Sequence, residues 1–472
     1  MEFLNSISAF LWNYILLFAL LGVGLYMTVL LKFPQFTRVL PAITKLIGDI
    51  KSGKKVEDGR MTPFQSLATA VAAQVGTGNI VGVATAIAAG GPGAAFWMIL
   101  SAFFGMATIF AEAVLAQIYR HQSDTGELSG GPAYYIRDGL KSKVLARIFA
   151  VFAILSLGIV GIMVQSNAVV VSLNESFGIP MPWATAGLLA LVGVILTGGM
   201  ERIAGFSEKV VPLMAGAYVL GSLLIVVINI TQLIPALQLI LVSAFSPQAI
   251  GGGVLGITVQ ETVRFGIARG LFSNEAGMGS TPHSHAVAQT DHPAEQGFIA
   301  MIGVFISTFM ICTSTVMVNV LSGSYDATIS AAEMSKTATI MTQNAFTNGF
   351  GNFGGAFLSV SLSSFALTTI VGWYFFAESN VRLIFKDKKI FIIGFKIIAL
   401  SFLVVGPFID PDNLWKLSDL FTGLMALPNI VALIFLSRQV DWILKDYDQK
   451  NKLGELKWPD LNELPGRRPK KS

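Results

Sequence analysis

The stretch "AAQVGTGNIVG", residues 72–82, lies inside a segment that otherwise has the apolar composition of a membrane-spanning helix. Its polar residues and glycines are crowded into six positions, and they include Gln74, Gly76, Thr77, Gly78 and Asn79. Glycine weakens the interior of a helix, and polar side chains are costly in hydrocarbon. The stretch therefore predicts a helix that is broken inside the membrane, near residues 74–80. Gly78 and Gly82 leave a second interpretation open, in which small residues pack two helices closely.

The composition of the whole chain is typical of a membrane protein. Of its 472 residues, 53% are hydrophobic and 13% are charged, whereas soluble globular proteins have about 25% charged residues. The single cysteine, Cys312, excludes an intramolecular disulfide framework and a multi-cysteine zinc site. These features favour an all-α polytopic membrane protein and exclude a disulfide-rich secreted domain.

Runs of roughly 20 mainly apolar residues predict the individual spans. We expect eleven transmembrane helices, at 10–31, 63–89, 92–119, 145–173, 182–199, 209–232, 250–278, 298–322, 350–381, 390–407 and 415–436. Charged residues interrupt the seventh of these, at Glu261, Arg264, Arg269 and Glu275. The segment 233–249 is too short to span, and we expect it to lie along the outer face.

The positions of lysine and arginine predict the orientation of these spans, because short cytoplasmic loops retain such residues. Seven of them fall in the loop 32–62, and more follow in the tail 437–472. We therefore predict a plasma-membrane protein with its N-terminus outside and a basic tail in the cytoplasm. The net charge of +4 is explained by this topology. We expect contact with the lipid bilayer, no nucleic-acid partner and no obligatory protein partner.

The spans show a weak internal symmetry. Residues 1–62 hold one extra helix and a basic loop, and the remaining spans form two groups of five, in residues 63–232 and 250–436. Each group begins with a polar segment interrupted by glycine, and the second of these segments is near 271–282. An odd number of helices per group inverts one group relative to the other, which is the inverted-repeat plan of many secondary transporters.

A third polar stretch, "SLSSFALTTIVGWYF", occupies residues 361–375. Thr368 and Thr369 fall near one face of the predicted helix, and Trp373 follows one turn later. Hydroxyls and unwound carbonyls suit a sodium ion, because they supply oxygens without net charge. The alternative is a local hydrogen bond from each hydroxyl to its own helix. For Glu275 we expect an ion pair with Arg264 or Arg269, rather than direct binding of a cation.

Three longer motifs resemble the alanine/glycine:cation symporter family. They are "GTGNIVGVATAIAAGGPGAAFWM" (76–98), "GGPAYYI" (130–136) and "FSNEAGMGSTPHSHA" (272–286). The resemblance covers nearly all eleven helices and implies a LeuT-type 5+5 inverted repeat, formed by the second to eleventh helices. It also implies sodium-coupled uptake of small neutral amino acids by alternating access, with sodium as the coupling ion and no enzymatic activity.

The resemblance further implies the residues of the site. Sodium would be bound by the carbonyls near Ala72 and Val75 and by the hydroxyls of Thr368 and Thr369. The substrate residues would be Gln74, Gly76, Thr77, Gly78, Asn79, Phe272, Asn274, Thr369 and Trp373.

The aromatic side chains in this set predict a small substrate. If Phe272 and Trp373 crowd the side-chain end of the pocket, alanine and glycine should share the site. One methyl group is worth only ~1–3 kcal/mol of discrimination. A glutamine transporter of the same fold stays open as an alternative, and an ion channel is the alternative from another class.

Overall fold

The computed structural model describes residues 2–53, 56–57, 59–122, 127–246, 258–325 and 331–466. These residues are almost entirely helical, and a short antiparallel pair of strands, β1 (His121–Gln122) and β2 (Leu128–Ser129), joins two helices. The predicted all-α class is therefore confirmed. Parts of three predicted segments lie outside the described residues, namely 247–249, 250–257 and 467–472.

The helices before residue 247 are, in chain order, α1 (Glu2–Phe10), α2 (Leu17–Leu30), α3 (Pro34–Thr37), α4 (Val39–Ser52), α5 (Pro63–Gln74), α6 (Val83–Gly90), α7 (Ala94–Ile118), α8 (Pro132–Asp138), α9 (Lys143–Leu155), α10 (Ile162–Phe177), α11 (Met181–Thr197), α12 (Gly199–Ile228) and α13 (Leu233–Phe245). Segments of π-helix join α1 to α2 at Leu11–Leu16 and α9 to α10 at Ser156–Gly161. The π-helix Gly78–Gly82 extends the start of α6, and a turn of 3-10 helix, Ile230–Gln232, precedes α13.

The helices after residue 257 are α14 (Val259–Asn274), α15 (Pro282–Ala286), α16 (Pro293–Val304), α17 (Thr313–Leu321), α18 (Ala331–Phe350), α19 (Asn352–Phe385), α20 (Lys389–Val405) and α21 (Pro411–Leu453). The π-helix Phe305–Cys312 joins α16 to α17, and the 3-10 turn Gly406–Phe408 follows α20.

Among the described residues, eight helices are long and apolar enough to cross a membrane, and a bent pair makes a ninth. The eight are Ser6–Leu30, Ala94–Ile118, Lys143–Phe177, Gly199–Ile228, Pro293–Leu321, Asn352–Phe385, Lys389–Phe408 and Pro411–Leu453. All nine coincide with predicted spans. The other two predicted spans are α11, which is apolar but has only 17 residues, and α14, which carries charged side chains. Their membrane crossing stays a prediction.

The first predicted break is present between α5 and the helix that follows it. Pro63–Gln74 and Gly78–Gly90 meet at an angle of 54°. The start of α5 is fixed by a capping box, in which the side chains of Thr62 and Gln65 each bind the backbone amide of the other residue. The helix ends at Gln74 because Val75 leaves the helical region, with φ −105° and ψ 85°.

The second predicted break follows α14. The helix ends where Glu275 adopts a left-handed conformation, with φ 58°. Gly277 and Gly279 also have positive φ, at 82° and 84°, and glycine adopts these values without steric cost. Pro282 then begins the short α15. Residues 275–281 therefore form an irregular segment, called here the second break, between two helices.

Three helical features differ from the sequence prediction, and the first is that the predicted basic loop 32–62 contains the helices α3 and α4. The 20-residue helix α18 was not predicted, because its composition is only weakly apolar. The last helix, α21, runs to Leu453 and not to 436. Its 43 residues correspond to roughly 65 Å at 1.5 Å per residue, about twice the hydrocarbon thickness of a bilayer. Its charged end is stabilised by pairs such as Lys450–Asp446, at 2.8 Å.

Candidate functional site

The first break and the end of α5 contact the last residues of α14, directly before the second break, in the interior of the helix bundle. The side-chain amide of Gln74 donates to the carbonyl of Asn274 at 2.7 Å, and the amide of Asn79 donates to the hydroxyl of Ser273, also at 2.7 Å. All four residues are buried. Segments about 200 residues apart in the chain thus meet, as the sequence predicts for paired broken helices.

The hydroxyl of Thr369, on α19, lies against the carbonyl oxygens at the end of α5. Its Oγ1 is 2.9 Å from the carbonyl oxygen of Ala72 and 3.3 Å from that of Val75. It is also 3.0 Å from the carbonyl oxygen of Phe365 in its own helix. A Cβ atom at Gly76 would approach Thr369 Oγ1 to 2.6 Å, so this close approach depends on glycine. These oxygens form a compact group without a carboxylate.

Thr368 is placed differently from its neighbour. Its hydroxyl donates to the carbonyl of Phe365 at 2.8 Å and lies 3.6 Å from the sulfur of Met214. No hydrogen bond among the described residues joins it to Ala72 or Val75. Of the two hydroxyls named for sodium, the structure therefore brings only that of Thr369 to the first break.

The side chain of Asn79 is saturated by protein groups. Its Oδ1 accepts from the backbone amide of Gly76 at 3.0 Å. Its Nδ2 donates to Ser273 Oγ and, at 3.1 Å, to the carbonyl of Ser307. Cys312 Sγ is 3.4 Å from the same nitrogen. Asn79 therefore fixes the shape of the first break and links it to α14 and to the π-helix Phe305–Cys312.

Gln165 of α10 also binds the first break, and sequence reasoning did not identify it. Its Oε1 accepts from the backbone amide of Thr77 at 3.3 Å, and its Nε2 donates to the Thr77 hydroxyl at 3.1 Å. Both residues are buried. The glutamine is followed by Ser166 and Asn167 in a largely apolar helix, so the sequence alone does not single it out.

The aromatic residue predicted on the second wall lies beside the first break. A Cβ atom at Gly78 would be 3.1 Å from the ring of Phe272, and this ring packs against Trp415 at 5.5 Å between centroids. A cavity of about 220 Å³ begins here and is lined by residues that include Thr77 and Trp415. Its lining also includes Ile340 and Gln343 of α18.

Asn274 and Trp373 make bonds that keep them within the protein. Asn274 donates to the hydroxyl of Thr308 at 3.3 Å and accepts from the amide of Ala276 at 3.0 Å. The indole nitrogen of Trp373 donates to Glu275 Oε1 at 2.6 Å. Its ring lies against Gly161, where a Cβ atom would be only 2.5 Å from the ring.

The predicted ion pair of Glu275 is wrong. Its carboxylate binds Trp373 and the hydroxyl of Ser280, while Arg269 forms a double hydrogen bond to Asp419, with both distances 3.1 Å. The reason is geometric, because the left-handed turn at Glu275 directs its side chain toward α19 and away from the exposed end of α14.

Comparison with known proteins gives the family. Residues 1–460 match the sodium:alanine symporter family. The chain belongs to this family. A relative from Methanococcus maripaludis, named a sodium/alanine symporter, is 37% identical over 441 residues, which are 92% of this chain and 94% of the relative. A Bacillus subtilis relative, named a "probable sodium/glutamine symporter", is 38% identical over 445 residues, which are 94% and 90% of the two chains.

Membership of the sodium:alanine symporter family settles the class of protein. The family consists of symporters and not of enzymes, so this is a multi-pass integral membrane protein that transports its substrate. The names of the family and of its members indicate a sodium-coupled amino-acid symporter.

The motif "GGPAYYI" has a clear structural position in this member of the sodium:alanine symporter family. It spans the start of α8, where Gly131 has φ 121° and Pro132 occupies the first turn. A Cβ atom at Gly131 would lie 2.7 Å from Nε2 of His283. His283 itself is buried, and its two ring nitrogens lie 2.6 Å from the Ser280 carbonyl and 2.9 Å from Asn380 Nδ2.

Proposed function

We propose that this protein couples the entry of sodium to the import of alanine or glycine by alternating access. The observation that carries the proposal is the group of uncharged oxygens at the first break, where Thr369 Oγ1 lies 2.9 Å from the Ala72 carbonyl oxygen and 3.3 Å from that of Val75. Unwound carbonyls in a broken helix are a recurrent way to bind sodium in secondary transporters. Such a group of uncharged oxygens suits a monovalent cation, because it adds no fixed negative charge to the site.

Coupling would follow from the position of this group beside the substrate residues. Gly76 lies between the carbonyl of Val75 and the amide of Thr77, and its own amide is held by Asn79. A cation bound to the carbonyls would therefore order the same backbone that the amino acid contacts. By linkage, sodium and amino acid would raise each other's affinity by the same factor.

The substrate would bind at the backbone of the first break, beside the ring of Phe272 that packs against Gly78. Two glycines let the backbone approach a ligand, and the helix from Gly78 to Gly90 begins there with its positive end. We assign the carboxylate of the substrate to Gly76, Thr77 and Gly78. In this structure the amides of Gly76 and Thr77 bind the side chains of Asn79 and Gln165, and these bonds would give way to the substrate. Because the side chain of Asn79 is already occupied, its role becomes that of a support. Gln74 and Asn274, which bind each other, would form the opposite wall.

We also propose the LeuT-type arrangement with eleven spans. Counting α11 and α14 as spans makes successive spans alternate in direction and gives two groups of five after the first helix. The two groups begin with the two broken segments, and the first of these contacts the end of α14 directly before the second break. The basic residues of 32–62 and of the tail would lie on the cytoplasmic side, with the N-terminus outside.

Glutamine is the second candidate substrate. It is favoured by the relative named for glutamine, which is 38% identical, and by the cavity of about 220 Å³ beside Thr77. Alanine is favoured by the crowding of Phe272 against Gly78 and by the relative named for alanine. Competition between the two amino acids decides between them.

The test is uptake of labelled alanine into proteoliposomes, with and without an inward sodium gradient. The proposal expects accumulation that requires sodium and is inhibited by glycine. Inhibition by glutamine but not by glycine would mean that glutamine is the substrate. The proposed sodium site would be unaffected by that result. Uptake that is independent of sodium would contradict the role of Thr369.

A further inference from the structure

A buried carboxylate outside the proposed substrate site holds the second break. Glu112, on α7, is fully buried. Its Oε2 accepts from the backbone amide of Gly277 at 3.0 Å, and its Oε1 accepts from Nδ2 of Asn429 at 2.6 Å. No basic side chain forms an ion pair with Glu112 in the part of the chain that the structure describes.

The geometry of these donors matches an anion. Gly277 and Gly279 have positive φ, at 82° and 84°, and backbone amides in such a turn converge on one point and form an anion-binding concavity. Each oxygen of Glu112 faces an N–H donor, from the backbone of Gly277 and from the side chain of Asn429. The protein's own side chain therefore occupies the place at the second break where such a turn would bind an anion.

Asn429 has only one orientation that fits its neighbours. Its Oδ1 accepts from the hydroxyl of Tyr135, so its Nδ2 faces Glu112 and also the carbonyl of Gly277, at 2.9 Å. The three residues belong to α7, α8 and α21, and Tyr135 is part of the "GGPAYYI" motif. The network therefore connects three helices to Gly277 in the second break. Gly277 follows Asn274 by three residues and Phe272 by five.

We propose that Glu112 is a positioning residue for transport, whose negative charge in the Gly277–Gly279 turn holds the second break in the conformation that binds substrate. This inference rests on the proposed function. It predicts that a small free anion can replace the carboxylate when the side chain is removed, because the amides of the turn and of Asn429 remain. A role in packing alone does not predict any dependence on anions.

The test compares Glu112→Ala, Glu112→Gln and wild type in sodium chloride and in sodium gluconate. For Glu112→Ala we expect alanine uptake of about one tenth of wild type or less in gluconate, because buried donors lose their acceptor. Chloride should restore uptake several-fold and raise the melting temperature of the purified variant. Neither wild type nor Glu112→Gln should respond to chloride, since their side chains still fill the turn.

Thr108→Val is the matched control. Thr108 lies one turn before Glu112, and its methyl group would be 3.4 Å from a Cβ atom at Gly277. Its buried hydroxyl has no hydrogen-bond partner among the described residues, so this variant should behave like wild type in both salts. The same uptake and melting temperature for Glu112→Ala in chloride and gluconate would overturn the proposal.

The two readouts separate this inference from the proposed function. If wild type shows no sodium-dependent uptake, the proposed function fails, while a chloride-dependent melting temperature of Glu112→Ala still supports the anion-binding turn. If Glu112→Ala cannot be recovered, Glu112→Gln decides, because its amide nitrogen must face N–H donors. Uptake by Glu112→Gln equal to that of wild type, at equal abundance in the membrane, would also overturn the proposal.

Discussion

The two breaks are stabilised by different chemistry. At the first, neutral side chains hold the backbone, with Asn79 on the amide of Gly76 and Gln165 on the amide of Thr77. At the second, carboxylates do so, with Glu112 on the amide of Gly277 and Glu275 on Ser280 and Trp373. The first break keeps its carbonyl oxygens close to a hydroxyl, whereas the second directs its amides toward a built-in anion.

Under the proposed function, this difference separates an exchangeable ligand, sodium, from a permanent one. A sodium ion that must enter and leave in each cycle is best bound by oxygens without net charge, since a fixed carboxylate would hold it more tightly. A segment that must keep its shape gains from a buried anion that is saturated by amides. We therefore expect substitutions at the first break to change sodium dependence, and those at the second to change the stability of the substrate-binding conformation.

The largest effect is expected for Thr369→Val, which keeps the shape of the side chain and removes the hydroxyl that lies 2.9 Å from the Ala72 carbonyl oxygen. Sodium should then lose most of its ability to raise alanine affinity, a coupling that is typically about 5–150-fold. The measurement is the apparent affinity for alanine by binding to purified protein over a range of sodium concentrations.

Thr368→Val is the control for this comparison, because its hydroxyl donates to Phe365 and lies near Met214. Its sodium response should remain close to that of wild type. Equal losses in the two variants would mean that both hydroxyls bind sodium, as the sequence resemblance implies, and that the site differs from the observed geometry.

An intermediate effect is expected for Gln165→Ala. The substitution removes both bonds to Thr77 and leaves a buried backbone amide without its acceptor. A cost of about 1–3 kcal/mol is usual for such a group, so the apparent KM for alanine should rise about tenfold. The apparent KM is measured from uptake kinetics at saturating sodium. Ser166→Ala is the control, since Ser166 bonds only to Met163 in the same helix; a similar rise there would contradict a specific role for Gln165.

Local features of the sequence predicted the first break well. Gly76, Gly78 and the polar residues beside them lie within a few positions of one another, so the conflict with a continuous apolar helix is visible without any tertiary information. Nine of the predicted spans coincide with helices of the structure, because a run of apolar residues is also a local feature of the sequence. The helix α18 was missed because few of its residues are strongly apolar and its stability comes from packing against α6 and α19.

The partners that complete the site could not be predicted from the sequence. Gln165 is 88 residues from Thr77, and Glu112 is 165 residues from Gly277. Nothing in the local pattern distinguishes these polar residues from others in apolar helices. The predicted ion pair of Glu275 with Arg264 or Arg269 was wrong for a related reason. The backbone conformation at Glu275 determines where its side chain points, and closeness in the sequence does not.

The smallest effect is expected at the link between the second break and α19. Trp373→Phe keeps most of the ring volume and removes the indole donor that lies 2.6 Å from Glu275 Oε1. The free energy of unfolding should fall by about 1–2 kcal/mol, since one buried acceptor loses its partner. Sodium coupling should persist, because Thr369 and the carbonyls of the first break are untouched.

Glu275→Gln sharpens the comparison, because its amide oxygen can still accept from Trp373. If chemical denaturation shows Glu275→Gln to be less stable than Trp373→Phe, the charge of Glu275 matters more than its hydrogen bond to Trp373.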